Sequence, residues 1–155
     1  VKRLQHWFAL AVLGSTLSVQ AGVKDNRYEG NIFVIYGGNG YIIPPRTTLE
    51  ASVKRGQPVM LIFYVNDSKD CKAYTPVITR LQVQFEREVN FIALHVDSLP
   101  EVIDTAAGRY YTGQIPYTVL FDRAGKVVYQ AAGMHTYNQL LPYFNQMVVP
   151  ATAQP

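Results

Sequence analysis

The sequence predicts an α/β protein in which one central mixed sheet is flanked by helices. Three observations carry that expectation. Residues 59–65 form a near-continuous apolar run, the pattern of a central strand buried on both faces. Apolar side chains at Tyr74, Val77, Ile78, Leu81 and Phe85 then repeat with the period of about 3.6 that marks one face of a helix. Along the chain the stretches follow the order strand, helix, strand, helix, strand, strand, helix, which implies a mixed sheet with helices on both sides. At 155 residues, 48% hydrophobic and 16% charged, the chain is long enough for one compact core and short for two.

Residues 1–21 read as a signal peptide, with Lys2 and Arg3 as a basic start, an apolar stretch over 7–19 and a small-residue site at Val19-Gln20-Ala21. The apolar stretch is shorter than the roughly 20 residues a bilayer-spanning helix needs. Cleavage after Ala21 is the first expectation, and an uncleaved membrane anchor is its rival. Gly14, Ser15, Thr16 and Ser18 interrupt the stretch and argue against a buried first helix.

Residues 22–46 read as an added N-terminal extension. Its polar start, 22–30, leads into runs 31–36 and 41–43, rich in β-branched and aromatic residues and separated by Gly37-Gly38-Asn39-Gly40, which predict a β-hairpin. Pro44-Pro45 ends it. The main domain spans 47–148 and opens with Thr47-x-x-Glu50, a capping-box pattern for a short helix ending near Gly56. After the central strand and the Cys71 helix, 91–96 reads as a strand, and Ser98-x-x-Glu101 caps a short helix reaching Ala107. Residues 117–121 and 127–129 form a hairpin around Asp122-Arg123-Ala124-Gly125. Thr136-x-x-Gln139 caps the last helix, whose apolar set is Tyr137, Leu140, Leu141, Phe144 and Met147, with Pro142 expected to kink it. Residues 149–155 offer little to bury and read as a mobile tail.

Composition excludes several function classes. The formal charge is +3, but two of the 14 basic residues and none of the 11 acidic ones lie in 1–21, leaving +1 for the rest. No basic run interleaved with aromatics is present, which argues against nucleic acid as a partner. One cysteine cannot form an internal disulfide. With that cysteine and two histidines after residue 21, no metal-ligand spacing exists, and the acidic residues form no evident catalytic pair. The Gly37-to-Gly40 cluster lacks a following Lys-Ser/Thr, so a turn is expected there in place of a phosphate loop. His95, between Leu94 and Val96 on a strand, reads as a packed histidine.

The stretch Phe63-Tyr64-Val65-Asn66-Asp67-Ser68-Lys69-Asp70-Cys71-Lys72-Ala73-Tyr74-Thr75-Pro76 resembles the active-site turn of the thioredoxin-like superfamily, with serine where the first cysteine of C-x-x-C would stand. Pro76 resembles the proline of the active-site helix. Ile115-Pro116-Tyr117 looks like the family's cis-proline loop, and Gly133 precedes the final helix as in that family. The resemblance implies a thioredoxin-like fold over roughly 47–148. It also implies a lost dithiol activity, because exchange needs an attacking thiolate and a resolving thiol. Ile62 sits where the family carries a buried carboxylate, Ala93 where it carries the lysine partner, and Asp67 where it carries a tryptophan.

Two functions are expected from these residues. In the first, an exported and redox-inactive domain acts as a protein-binding or assembly factor without a cofactor. By resemblance its groove, which would take an extended polypeptide, is lined by Ser68, Lys69, Asp70, Ile115, Pro116 and Tyr117, with Tyr110 and Tyr111 extending an aromatic rim. The leader, the S-x-x-C turn and Ile43-Pro44-Pro45 resemble the thioredoxin-like factors of cyanobacterial thylakoids required for photosystem I accumulation. That implies a thylakoid-lumen or periplasmic location, association with the membrane, and photosystem I subunits or assembly factors as partners. In the second, Cys71 with Ser68 serves as a single-cysteine thiol peroxidase or redox sensor. Lys69 and Lys72 favour a thiolate there, whereas Asp67 and Asp70 oppose it. The remaining expectation for Cys71 is a small buried hydrophobe.

Overall fold

The computed structural model describes residues 23–38, 40–98 and 104–149. Six successive side chains over Val59–Tyr64 (β1) are all buried. This strand is central because it pairs in parallel with Asn90–His95 (β2) and antiparallel with Tyr117–Phe121 (β3). Strand β3 pairs antiparallel with Val127–Ala132 (β4), giving the order β2-β1-β3-β4. The fold class is therefore the expected α/β class with a mixed sheet.

Alternation along β1 divides the interior into two cores. Met60, Ile62 and Tyr64 join the long helix Lys69–Phe85 (α3) and the last helix Tyr137–Val148 (α4) on one face. Val59, Leu61 and Phe63 face the opposite core, to which Leu49 of the short helix Leu49–Lys54 (α2) contributes. Helix α3 buries Tyr74, Ile78, Leu81 and Phe85 of the expected stripe, with Val77 half-buried at its edge and Cys71 also buried. Both halves of the Thr136/Gln139 capping box are formed at the start of α4. That helix continues through Pro142 and brings Phe144 against Phe85 and Phe91, with ring centroids 5.0 and 5.9 Å apart.

The expected N-terminal β-hairpin is not formed. Residues Ile32–Ile35 make a one-turn helix (α1), and Gly40–Ile42 is a 3₁₀ turn. Burial explains the change: Ile32 and Phe33 are both inside, while Val34 and Ile35 are 59% and 45% exposed. Both enter the same core, which suits a helical turn, because a strand sends successive side chains to opposite faces. Asn31 caps the turn, its Oδ1 accepting from the amides of Phe33 at 3.0 Å and Val34 at 3.4 Å. Close approach to α3 also demands Gly37, where an added Cβ would lie 2.6 Å from Thr79 Oγ1 and 2.9 Å from Thr75 Cγ2.

Two smaller expectations also change. Helix α2 is capped by Thr48, whose Oγ1 accepts the Ala51 amide at 3.1 Å; Thr47 instead accepts from Arg55 at 2.8 Å. The expected helix from Ser98 to Ala107 runs into residues 99–103, which lie outside the described residues, and its described flanks are the 3₁₀ turns Val96–Ser98 and Gly108–Tyr110. The expected leader over 1–21 and the expected tail beyond Val149 also lie outside the described residues. No helix among the described residues is long and apolar enough to cross a membrane.

Candidate functional site

The carboxyl end of β1 runs through buried Val65 into the turn Asn66-Asp67, and Ser68 then caps α3. Ser68 Oγ accepts the Cys71 amide at 3.3 Å, so the hydroxyl is engaged in holding the helix start. Cys71 follows one turn later and is 2% exposed. Burial pushes its thiol pKa up, and Asp70 and Asp67 push the same way; hydrogen bonds from the Val65 backbone and Ser68 oppose them. A thiol in this setting is protonated near neutral pH, when thiolate chemistry would need the reverse.

The strands behind the turn supply no proton carrier in the positions that the sequence singled out. Ile62 is the Cα partner of Ala93 on one side and Thr118 on the other, and all three are buried. The polar link in this region is a buried hydrogen bond between Tyr74 of α3 and Thr118 of β3, at 3.1 Å. Burial raises the pKa of Tyr74 and of Tyr64, keeping both phenols neutral.

Antiparallel pairing sets the start of β3 beside the end of β1, with Phe63 opposite Tyr117. The Ile115–Pro116 peptide is cis and stands at that end of the sheet; Ile43–Pro44 is also cis. Pro116 accepts the Gly133 amide at 2.8 Å, which joins this loop to the turn before α4. Of the expected groove residues, Lys69 is exposed, Ser68, Asp70 and Ile115 are half-buried, and Pro116 and Tyr117 are buried. Tyr117 and Tyr111 pack around Phe63 at 6.5 and 5.2 Å, and Tyr110 meets Phe121 edge-on at 4.9 Å. Those three rings therefore support the second core, and Tyr110 and Tyr111 keep part of their surface outside it.

His95 packs edge-on against Tyr64 at 5.2 Å, and its Nε2 lies 3.8 Å from Asp97. No cluster of metal-ligating side chains occurs among the described residues.

Sequence reasoning placed Lys72 near the thiol and missed its burial. It is wholly buried, and its Nζ donates to the carbonyls of Arg27 at 2.6 Å and Asp25 at 3.2 Å. Asp25 Oδ1 lies at 3.4 Å and Glu29 Oε2 at 3.8 Å. The Lys69 amide donates to Asn26 Oδ1 at 2.9 Å, and the Ile32 amide donates to Asn66 Oδ1 at 3.2 Å. Residues 25–32 are thus tied to the stretch from Asn66 to Lys72 at three points. The available signal was Lys72, Thr75, Thr79 and Gln82, a polar stripe at helical spacing whose members are all buried; it resembles a solvent face until something is laid over it.

The family model of the AhpC/TSA family matches residues 45–152. The chain belongs to the AhpC/TSA family. Its thioredoxin-like fold is also seen in a thioredoxin from Fasciola hepatica, with a TM-score of 0.52 and 23% identity, covering 64% of this chain and 90% of that one. Among curated relatives, a thylakoid membrane protein of Synechocystis sp. is 41% identical over 129 residues, 81% of this chain and 63% of the relative. A thiol:disulfide interchange protein TxlA homolog of the same organism is 31% identical over 88 residues, 55% of this chain and 46% of the relative. This family member therefore spans less than two thirds of either curated relative.

Proposed function

We propose that this AhpC/TSA family member is an exported, redox-inactive protein-binding or assembly factor that works at a thylakoid membrane and assists photosystem I accumulation. The observation carrying this reading is the Ser68–Cys71 pair: a capping hydroxyl stands where an attacking thiol would be needed, and the one thiol is sealed in the core. The similarity to a thylakoid membrane protein supports the location. Binding would use the end of the sheet at which the Ser68–Asp70 turn and the Ile115–Tyr117 loop stand together, with exposed Lys69 and the outer parts of Tyr110 and Tyr111 meeting an extended polypeptide.

Co-purification from native thylakoid membranes, with captured partners identified by mass, tests the reading alongside an insulin-reduction assay. Recovery of photosystem I subunits or assembly proteins, weakened by Lys69→Glu, together with no insulin reduction supports it. Disulfide reduction at a thioredoxin-like rate overturns it. The second reading is a single-cysteine peroxidase or sensor, favoured by the family match and by Cys71 at a helix start. Rapid peroxide consumption that disappears in Cys71→Ala would put that reading in its place.

A further inference from the structure

We propose that residues 25–33 are an intramolecular ligand seated on Asn66, the Lys69 amide and Lys72 beside Cys71, and that the cradle they fill accepts an extended acidic polypeptide when they leave. This goes beyond the assembly-factor reading, since it concerns what occupies the turn and how it is opened.

The cradle is built from groups of α3 and the turn before it. Its donors are Lys72 Nζ and the Lys69 amide, and its acceptor is Asn66 Oδ1. The segment supplies the complement: the carbonyls of Asp25 and Arg27, the carboxylates of Asp25 and Glu29, the Asn26 side chain and the Ile32 amide. An extended peptide with two acidic side chains meets that requirement through its backbone and its charge together. A buried ammonium needs such a partner, because an uncompensated charge in the interior carries a large desolvation penalty. Lys72 therefore selects for an acidic occupant whether the occupant is this chain's own segment or another.

The same segment also contributes apolar side chains to the core that holds the thiol. Ile32 and Phe33 belong to the core that contains Cys71 and Tyr64, with Phe33 edge-on to Tyr64 at 5.0 Å. Yet α1 has only four residues, too few to be stable without its packing partner. A short element held by polar links and two apolar anchors is the kind of unit that opens without global unfolding. Leaving would free Lys72 and open the core that holds Cys71 in one event.

Because Cys71 is the only cysteine, its reaction with Ellman's reagent reads this opening directly in the full chain. Asp25→Asn combined with Glu29→Gln keeps side-chain size while removing both carboxylates. The double variant is expected to react about tenfold faster than wild type, with a dependence on low urea well below that of global unfolding. A synthetic peptide spanning residues 23–36 is expected to slow the reaction again, whereas the same peptide carrying the two amide substitutions is not. If the variant proves unstable, wild type in low urea with and without the peptide supplies the same comparison. Labelling that follows only global unfolding, or a peptide that gives no protection, overturns the proposal. These outcomes are independent of whether photosystem I proteins co-purify.

Discussion

The hydroxyls of Tyr74 on α3 and Thr118 on β3 lie 3.1 Å apart in a fully buried hydrogen bond that joins the site helix to the central sheet. Each group is the other's partner in surroundings that exclude water. Tyr74→Phe should cost about 1–3 kcal/mol, because it leaves the Thr118 hydroxyl buried without its partner. Adding Thr118→Val should recover part of that loss, and urea unfolding of both single variants and the double variant measures the coupling.

Stability should decline at both ends of the pH scale. Cys71, Tyr64 and Tyr74 have folded-state pKa values raised by burial, so the folded protein retains protons that the unfolded chain releases. Stability from these groups is present below their ordinary values of 9.0 and 10.0 and falls as pH rises above them. His135 is shifted downward by burial, so its contribution is lost as pH falls below 6.5. Thermal melts from pH 5 to 11 should show this decline on both flanks, and Cys71→Ala should remove the earliest part of the alkaline loss.

Gly37→Ala tests the packing of α1 on α3. The new methyl would fall 2.6 Å from Thr79 Oγ1 and 2.7 Å from the Phe33 carbonyl, and the latter is backbone that cannot swing aside. Overpacking of this kind typically costs about 1–3 kcal/mol. A lowered urea midpoint, with faster proteolysis near the N-terminal segment, is the expected result.

Cys71→Ala should leave folding and partner binding largely intact. The side chain it truncates is small, and the expected loss lies within the usual range of about 0.5–3 kcal/mol. Circular dichroism checks the fold, and co-purification checks binding. Retained partner capture by this variant would separate the binding role from thiol chemistry.

Much of the fold was legible because its signals are local. The apolar run of β1, the helical stripe of α3 and the Thr136/Gln139 capping box each specify an element from a few neighbouring residues. Ser68 was legible in the same way, since its place at a helix start and its lack of a thiol are both written in one turn of sequence. Where signals were ambiguous, neighbours decided. The cap expected at Thr47 is made one residue later, and only the backbone geometry assigns it to Thr48.

What the sequence by itself determined is the α/β order, the site turn and the absence of a dithiol, because these follow from residue identity and short-range periodicity. Tertiary structure alone decided that residues 32–35 form a helix and that Lys72 is a buried charge. Ile32 and Phe33 have strand-like composition, but both are buried in the core that contains Cys71, which a strand's alternation does not allow. Lys72 looks like solvent-facing helix surface until Asp25, Arg27 and Glu29, more than 40 residues earlier, supply the oxygens that let an ammonium leave water. Such long-range compensation leaves no periodic mark in the sequence, since the partner's distance along the chain is set by the path of the fold.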